Sequence, residues 1–362
     1  MPAHDAGRGH ETASAMGAAV NRDLRRLGGS RLRALSDIFP TTSNPADPSF
    51  VEGRKHELTD AILTLLTPRI CPVIVGPKGI GKTTLACQLE LAVKGNTDIL
   101  DYLGLSAYRS PAEFFHETFW LNCAHLKNRG LGILDAIVKL LRRRYQEIKP
   151  GDRLAPLERS ATVSISVSPK LEFMSKSGRP NDSEDNPPAA EEEILELATE
   201  ITSRTGHPLL FIIDDIHLAE DAHALCSFLK SASFYSPDNP RFILIGTADR
   251  LGDLLSDGRD IGGIVAAIEL ARMPDSEILQ LLHWGVHQLR SLGFSLDIER
   301  GLFDSLTRIS AGYPSIASQL ARDSIMAAER NHTNIVTREH LDTAVRNLIS
   351  NLQPPVSRPR NT

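Results

Sequence analysis

The chain has 362 residues, 41% of them hydrophobic and 23% charged, with a formal net charge of -5. That length supports two or three folded units with a sizeable core, and the composition is that of an ordinary globular protein. Mild acidity supplies no global pull toward nucleic acid, so only a local basic surface could serve such a partner. Cys71, Cys87, Cys123 and Cys226 are scattered without a C-x-x-C pair, which argues for reduced, buried thiols and against a zinc site. No apolar run approaches the roughly 20 residues of a membrane helix, and the N-terminus lacks the apolar centre of a signal peptide. A cytoplasmic location without membrane contact is expected.

Residues 1–48 are rich in Gly, Ala, Ser and Arg and end in the turn-forming stretch FPTTSNPADP. They are expected to form a flexible basic leader; within it NRDLRRLGGSRLRAL (Asn21–Leu35) could form a short helix interrupted at Gly28-Gly29 and offers, as the alternative, an arm that docks on a partner or on nucleic acid. The patterned region, 49–272, starts with FVEGRKHELTDAILTLLTP, a turn at Gly53-Arg54 and then an amphipathic helix from about Lys55 to Leu66. The apolar run Val73-Ile74-Val75 follows and feeds GPKGIGKTT, residues Gly76–Thr84. Gly76, Gly81, Lys82 and Thr83 fit G-x-x-x-x-G-K-[ST], the phosphate-binding P-loop. The backbone of Gly76, Pro77, Lys78, Gly79, Ile80, Gly81, Lys82, Thr83 and Thr84 would wrap a polyphosphate, aided by the positive end of the helix that begins there. Lys82 would reach the β- and γ-phosphates, and the Thr83 hydroxyl would ligate Mg²⁺.

A second strand is expected at Thr118–Asn122, then a helix near Gly132–Tyr145 carrying Arg142-Arg143-Arg144. That run reads first as a solvated helix face and second as a phosphate or nucleic-acid contact. About 149–190 the rhythm breaks: ATVSISVSPKLEFMS alternates like a β-hairpin, and GRPNDSEDNPPAAEEE is an acidic linker. Together they are expected to be an insertion. A helix over Glu192–Thr205 precedes PLLFIIDDIHLA, a strand buried on both faces. Helix Ala219–Ser231, strand Arg241–Gly246, a helix near Leu251–Leu255 and a last strand at Ile268–Leu270 complete the alternation. These lengths predict an α/β three-layer domain with a parallel sheet. Residues 273–352 show helical periods at about 275–291, 298–309, 314–330 and 337–351, a small all-helical domain, with 353–362 as a disordered tail.

A P-loop implies nucleotide binding; hydrolysis also needs a placed Mg²⁺ and a group that orients water. The strand Phe211-Ile212-Ile213 ends in Asp214 and Asp215, which puts both carboxylates at the carboxyl edge of the sheet beside the P-loop. Asp214 would hold Mg²⁺ and Asp215 would polarise the lytic water; a helix cap or turn is the plainer role for such a pair. Aspartate is short for that base, so slow turnover is expected. Thr247, after Arg241–Gly246, would bond the γ-phosphate or the water, with a simple helix cap as the alternative.

This combination resembles the AAA+ and related STAND P-loop ATPases over roughly Phe50 to Leu352, with a replication-initiator-like ATPase domain. FVEGRKHEL resembles the box before the first strand that flanks adenine in that group, which implies ATP over GTP. GPKGIGKTT and LLFIIDD are similar to its Walker A and Walker B motifs, RFILIG with Thr247 to its sensor-1 strand, and the helical domain to its lid. Gly312-Tyr313-Pro314 resembles the GxP element of STAND proteins, which implies that Pro314 lies against the base. Where AAA+ lids carry the sensor-2 arginine this chain has Ser315, and Arg322 is the nearest arginine along the helix. The resemblance also implies an arginine finger for a neighbouring subunit, Arg259 or else Arg250. The function implied is an ATP-hydrolysing regulatory switch that assembles as a homo-oligomer, with a partner effector protein, or both. The alternative is a DNA-associated ATPase assembling on duplex DNA.

Overall fold

The computed structural model describes residues 31–40, 53–105, 117–148, 163–164, 190–235, 240–247 and 263–352. In chain order the elements are α1 (residues 31–38), α2 (Lys55–Leu66), β1 (Cys71–Val75), α3 (Lys82–Val93), α4 (Thr97–Leu103) and β2 (Glu117–Asn122). Next come α5 (Cys123–Lys127), α6 (Ile133–Glu147), β3 (Val163–Ser164), α7 (Ala190–Thr205), β4 (Leu209–Asp214), α8 (Ala222–Tyr235), β5 (Arg241–Gly246) and β6 (Val265–Glu269). The chain continues with α9 (Asp275–Ser291), β7 (Asp297–Ile298), α10 (Leu302–Ser310), α11 (Pro314–Arg330), β8 (Ile335–Val336) and α12 (Arg338–Leu352). Contacts divide it into two units, 43–273 and 1–42 with 274–362.

In the first unit a six-stranded sheet has the order β3-β2-β4-β5-β1-β6, and every pairing is parallel. Parallel strands covered by helices on both faces need apolar side chains in both directions, and β1 and β4 are buried along their whole length. On one face Phe119, Phe211 and Phe242 stand side by side in register, their rings stacked at 5.0 and 5.3 Å, against α6, α7 and α8. On the other, α3 is fastened to β2 through the fully buried Glu90, which accepts from Trp120 Nε1 at 2.7 Å and from the Thr118 hydroxyl. Lys94 Nζ, 2.7 Å away, balances that carboxylate, as a buried charge requires.

The three-layer α/β expectation therefore holds. α4 escaped the sequence reading, although Asn96 caps it by accepting from the Asp98 and Ile99 amides. Of the expected hairpin only Val163–Ser164 is described, and it extends the sheet as a parallel edge strand on Phe119 and Trp120; the remainder lies outside the described residues, as does the helix near Leu251–Leu255. In the arginine run the solvated-face reading holds for Arg142 and Arg143, whose side chains are 59% and 67% exposed, and fails for the buried Arg144. Arg142 donates to Glu193, Arg143 pairs with Glu147, and the buried Arg144 donates two hydrogen bonds to the Glu117 carboxylate at 2.6 and 2.9 Å.

The second unit has the four expected helices, α9 to α12, and in addition a parallel two-residue pair, β7 with β8. A pair so short carries no alternation for the sequence to display. Residues 31–38 are helical, within the segment where the sequence allowed a short helix, and the burial of Leu35 and Phe39 departs from a solvated leader. Gly285, inside α9, leaves room for the Phe39 ring, whose atoms fall where a Cβ at that position would stand. Arg31 lies over the Phe294 ring at 4.7 Å and pairs with Glu329 at 3.7 Å. Among the described residues no helix is long and apolar enough to cross a membrane, and all four cysteines are free and buried.

Candidate nucleotide-binding site

The site grows from the carboxyl ends of β1, β4 and β5. Val75 stands level with Gly246 and with Glu269, so the chain leaves β1 at Gly76 with neighbours on both sides. A Cβ at Gly76 would lie 3.0 Å from the Leu270 carbonyl oxygen and 3.0 Å from Ile80 Cγ2; the turn closes only around glycine. Gly81 precedes α3 with φ 101°, a left-handed conformation that suits glycine. α3 has no acidic residue in its first turn, so nothing on it offsets the positive end of the helix. Lys82 Nζ folds over the loop and donates to the carbonyls of Gly76 at 2.9 Å and Pro77 at 3.0 Å. Burial pulls its pKa down against the opposing charges of Asp214 and Asp215.

β4 brings Asp214 to the same place. The Thr83 hydroxyl donates to Asp214 Oδ2 at 2.9 Å across 131 residues of sequence, and the Asp215 amide donates to Oδ1 at 2.9 Å. Asp214 is 7% exposed. Burial first, and then the charge of Asp215, raise its pKa from 3.8 to about 6, against the two hydrogen bonds and Lys82. Thr83 and Asp214 form an adjacent, all-oxygen donor pair, the type a hard cation takes. Among the described residues no group of three or more His, Cys, Asp or Glu could hold a metal. An ion here would take its other ligands from phosphate and water, as Mg²⁺ commonly does. The donor set fits Mg²⁺.

Asp215 turns out of the strand with φ 56° and ψ 37°, heading the short 3₁₀ turn Ile216–Leu218. Its Oδ2 faces Asn122 Nδ2 at 3.4 Å. Asn122 ends β2 level with Asp214, and its Oδ1 accepts from the His125 amide at the start of α5. Sequence reasoning missed Asn122. The available signal was a polar residue closing a buried strand, the same signal that marked Asp214.

Thr247 directly follows Gly246, which pairs with Val75, so the backbone places it beside the start of the P-loop. Pro314 belongs to the second unit and opens α11 as its first-turn proline, after Tyr313 in an extended conformation; the Tyr313 amide donates to the Ser310 carbonyl at 2.9 Å. Arg322 on α11 engages Asp323 at 3.1 Å. Arg250 and Arg259 lie outside the described residues.

No protein-family model matches the sequence. Among solved structures, the DNA-bound Orc1 protein of Aeropyrum pernix is 14% identical, over 87% of this chain and 69% of its own, with a TM-score of 0.52. Cdc6p of Pyrobaculum aerophilum is 15% identical, over 86% of this chain and 70% of its own, with a TM-score of 0.50. The fold is the AAA+ P-loop fold. The helical unit after β6 fits the lid of that fold.

Proposed function

We propose that the chain binds ATP with Mg²⁺ and hydrolyses it slowly, and that the nucleotide state switches its assembly with itself, with a partner effector protein, or with both. The observation that carries this reading is the Thr83–Asp214 hydrogen bond, which joins the P-loop helix to the end of β4 with the oxygen donors that a nucleotide-bound Mg²⁺ needs. Mg²⁺ would neutralise charge on the β- and γ-phosphates. The loop N–H groups between Lys78 and Thr84 bind the phosphates, and Lys82 exchanges its bonds to the Gly76 and Pro77 carbonyls for phosphate oxygens. Asp215 takes a proton from the attacking water at its carboxylate, with Asn122 orienting that side chain. Thr247 donates its hydroxyl to the γ-phosphate or to that water. Pro314 against the base and Arg259 or Arg250 as a finger for a neighbouring subunit complete the proposal. A cytoplasmic compartment suits the four free thiols.

The second reading is a DNA-associated ATPase, motivated by the A. pernix protein having been solved with DNA. Of one of its two basic segments, Arg144 is buried against Glu117, while Arg142 and Arg143 stay exposed beside Glu193 and Glu147, whose charges offset theirs.

Lys82→Ala is expected to abolish ATP binding measured by calorimetry. Asp215→Asn should bind ATP normally and lose hydrolysis by about 10²- to 10⁴-fold, the usual contribution of a positioned base. Unchanged ATP binding by Lys82→Ala would sink the proposal, and full turnover by Asp215→Asn would remove Asp215 from it.

A further inference from the structure

Arg54 heads α2 in the left-handed region, with φ 56° and ψ 32°, and its side chain is 9% exposed. A guanidinium is buried stably only where its donors find partners. Nη1 donates to Glu57 Oε1 at 2.7 Å. Nη2 donates to the Ile80 carbonyl at 3.2 Å and to the Ala271 carbonyl at 2.7 Å. Ile80 is the P-loop residue before Gly81. Ala271 lies on the segment after β6, just before the unit boundary at Pro274. Leu270, the residue before Ala271, is also the one whose carbonyl closes over Gly76. Both ends of the P-loop therefore rest on the same short segment, one by contact and one through Arg54.

Peptide planarity extends this to the phosphate cradle. A trans peptide points its C=O and its N–H in opposite directions, and the described chain contains no cis bond. With the Ile80 carbonyl turned toward Arg54, the Gly81 N–H is directed the other way. We infer that Arg54 is a positioning residue for nucleotide binding: its planar fork fixes the Ile80–Gly81 peptide with the amide facing the phosphates and ties it to Ala271. The inference rests on the nucleotide reading given above. Lysine is a poor substitute, because a point-charge ammonium lacks the rigid fork that serves Glu57 and two carbonyls together.

The test uses the full chain with Arg54→Ala and Arg54→Lys, and two readouts. In the ligand-free protein, amide hydrogen exchange is expected to quicken in peptides covering 76–84 and 270–273 while β4 keeps wild-type protection. ATP and ADP dissociation constants are expected to rise about ten- to hundredfold in Arg54→Ala, as loss of two charge-assisted bonds implies, and less in Arg54→Lys. Millimolar guanidinium should restore affinity to Arg54→Ala and leave Lys82→Ala unable to bind. Wild-type affinity and wild-type exchange at 76–84 in Arg54→Ala would overturn the inference. A uniform quickening across the whole sheet, with no guanidinium rescue, would also overturn it by leaving Arg54 a purely structural part. Wild-type protein that bound no ATP would remove the nucleotide reading, while the exchange data would still judge Arg54 by itself.

Discussion

The Asp214 carboxyl is 7% exposed and lies beside a second carboxylate. Burial and the charge of Asp215 raise it from 3.8 to about 6. A carboxyl raised on folding favours the folded state fully while protonated, and that contribution is lost as pH rises through its folded value. Above about pH 6 the ligand-free protein therefore carries a penalty of up to about 3 kcal/mol from this group. Asp214→Asn is expected to raise the ligand-free melting temperature at pH 7.5, with the gain vanishing near pH 4. The same variant should lose the extra stabilisation that Mg²⁺ with ATP gives the wild type, and the wild type should lose its Mg²⁺-dependent affinity below about pH 6. A ligand-free Asp214→Asn protein less stable than wild type at pH 7.5 would show that the charge is better supported than its burial implies. Lys82, Thr83, Asp214 and Asp215 were legible in the sequence because strand–loop–helix order alone brings them to one sheet edge. Asn122 carried a signal, a polar residue closing a buried strand, but its pairing with Asp215, like that of Arg54 with Ile80 and Ala271, arises only through strand pairing and loop closure.

Among the elements, those with long apolar periods were found close to their observed bounds: α9 runs over Asp275–Ser291 and α11 over Pro314–Arg330. β7 and β8 are too short to show a period, and α1, allowed as a short helix, is too basic for the sequence to tell a docked helix from a solvated arm. What makes α1 part of the folded unit is a tertiary fit, the Phe39 ring over the bare backbone of Gly285. That fit sets a sign. In an exposed helix, Gly→Ala stabilises by about 1 kcal/mol. Here Gly285→Ala forces the ring away and is expected to destabilise by about 1–3 kcal/mol, as overpacking does. In a Phe39→Ala background the same change should become neutral or stabilising. Urea unfolding of the four proteins in this cycle measures the coupling. The same sign for Gly285→Ala in both backgrounds would mean that residues 31–39 do not dock on α9 in solution.

For the molecule as a whole, the proposed switch implies a particle that grows when ATP and Mg²⁺ are added together and stays small in Lys82→Ala. Light scattering with and without duplex DNA separates the two functional readings. Growth independent of DNA supports the switch, whereas DNA binding that weakens steeply with added salt supports the alternative. A single particle size under all of these conditions would remove nucleotide-controlled assembly. The sequence by itself determined the alternation of strand and helix, the phosphate loop and the carboxylate pair, because these depend on local period, on glycine conformational freedom and on the end of a buried strand. Only the tertiary structure decided where the charges and the chain ends go. It buried Arg144 against Glu117 and Arg54 against two carbonyls, and drew residues 31–39 onto the helical unit. Each of these contacts spans a sequence separation over which no period or motif operates, so only the packed chain could reveal them.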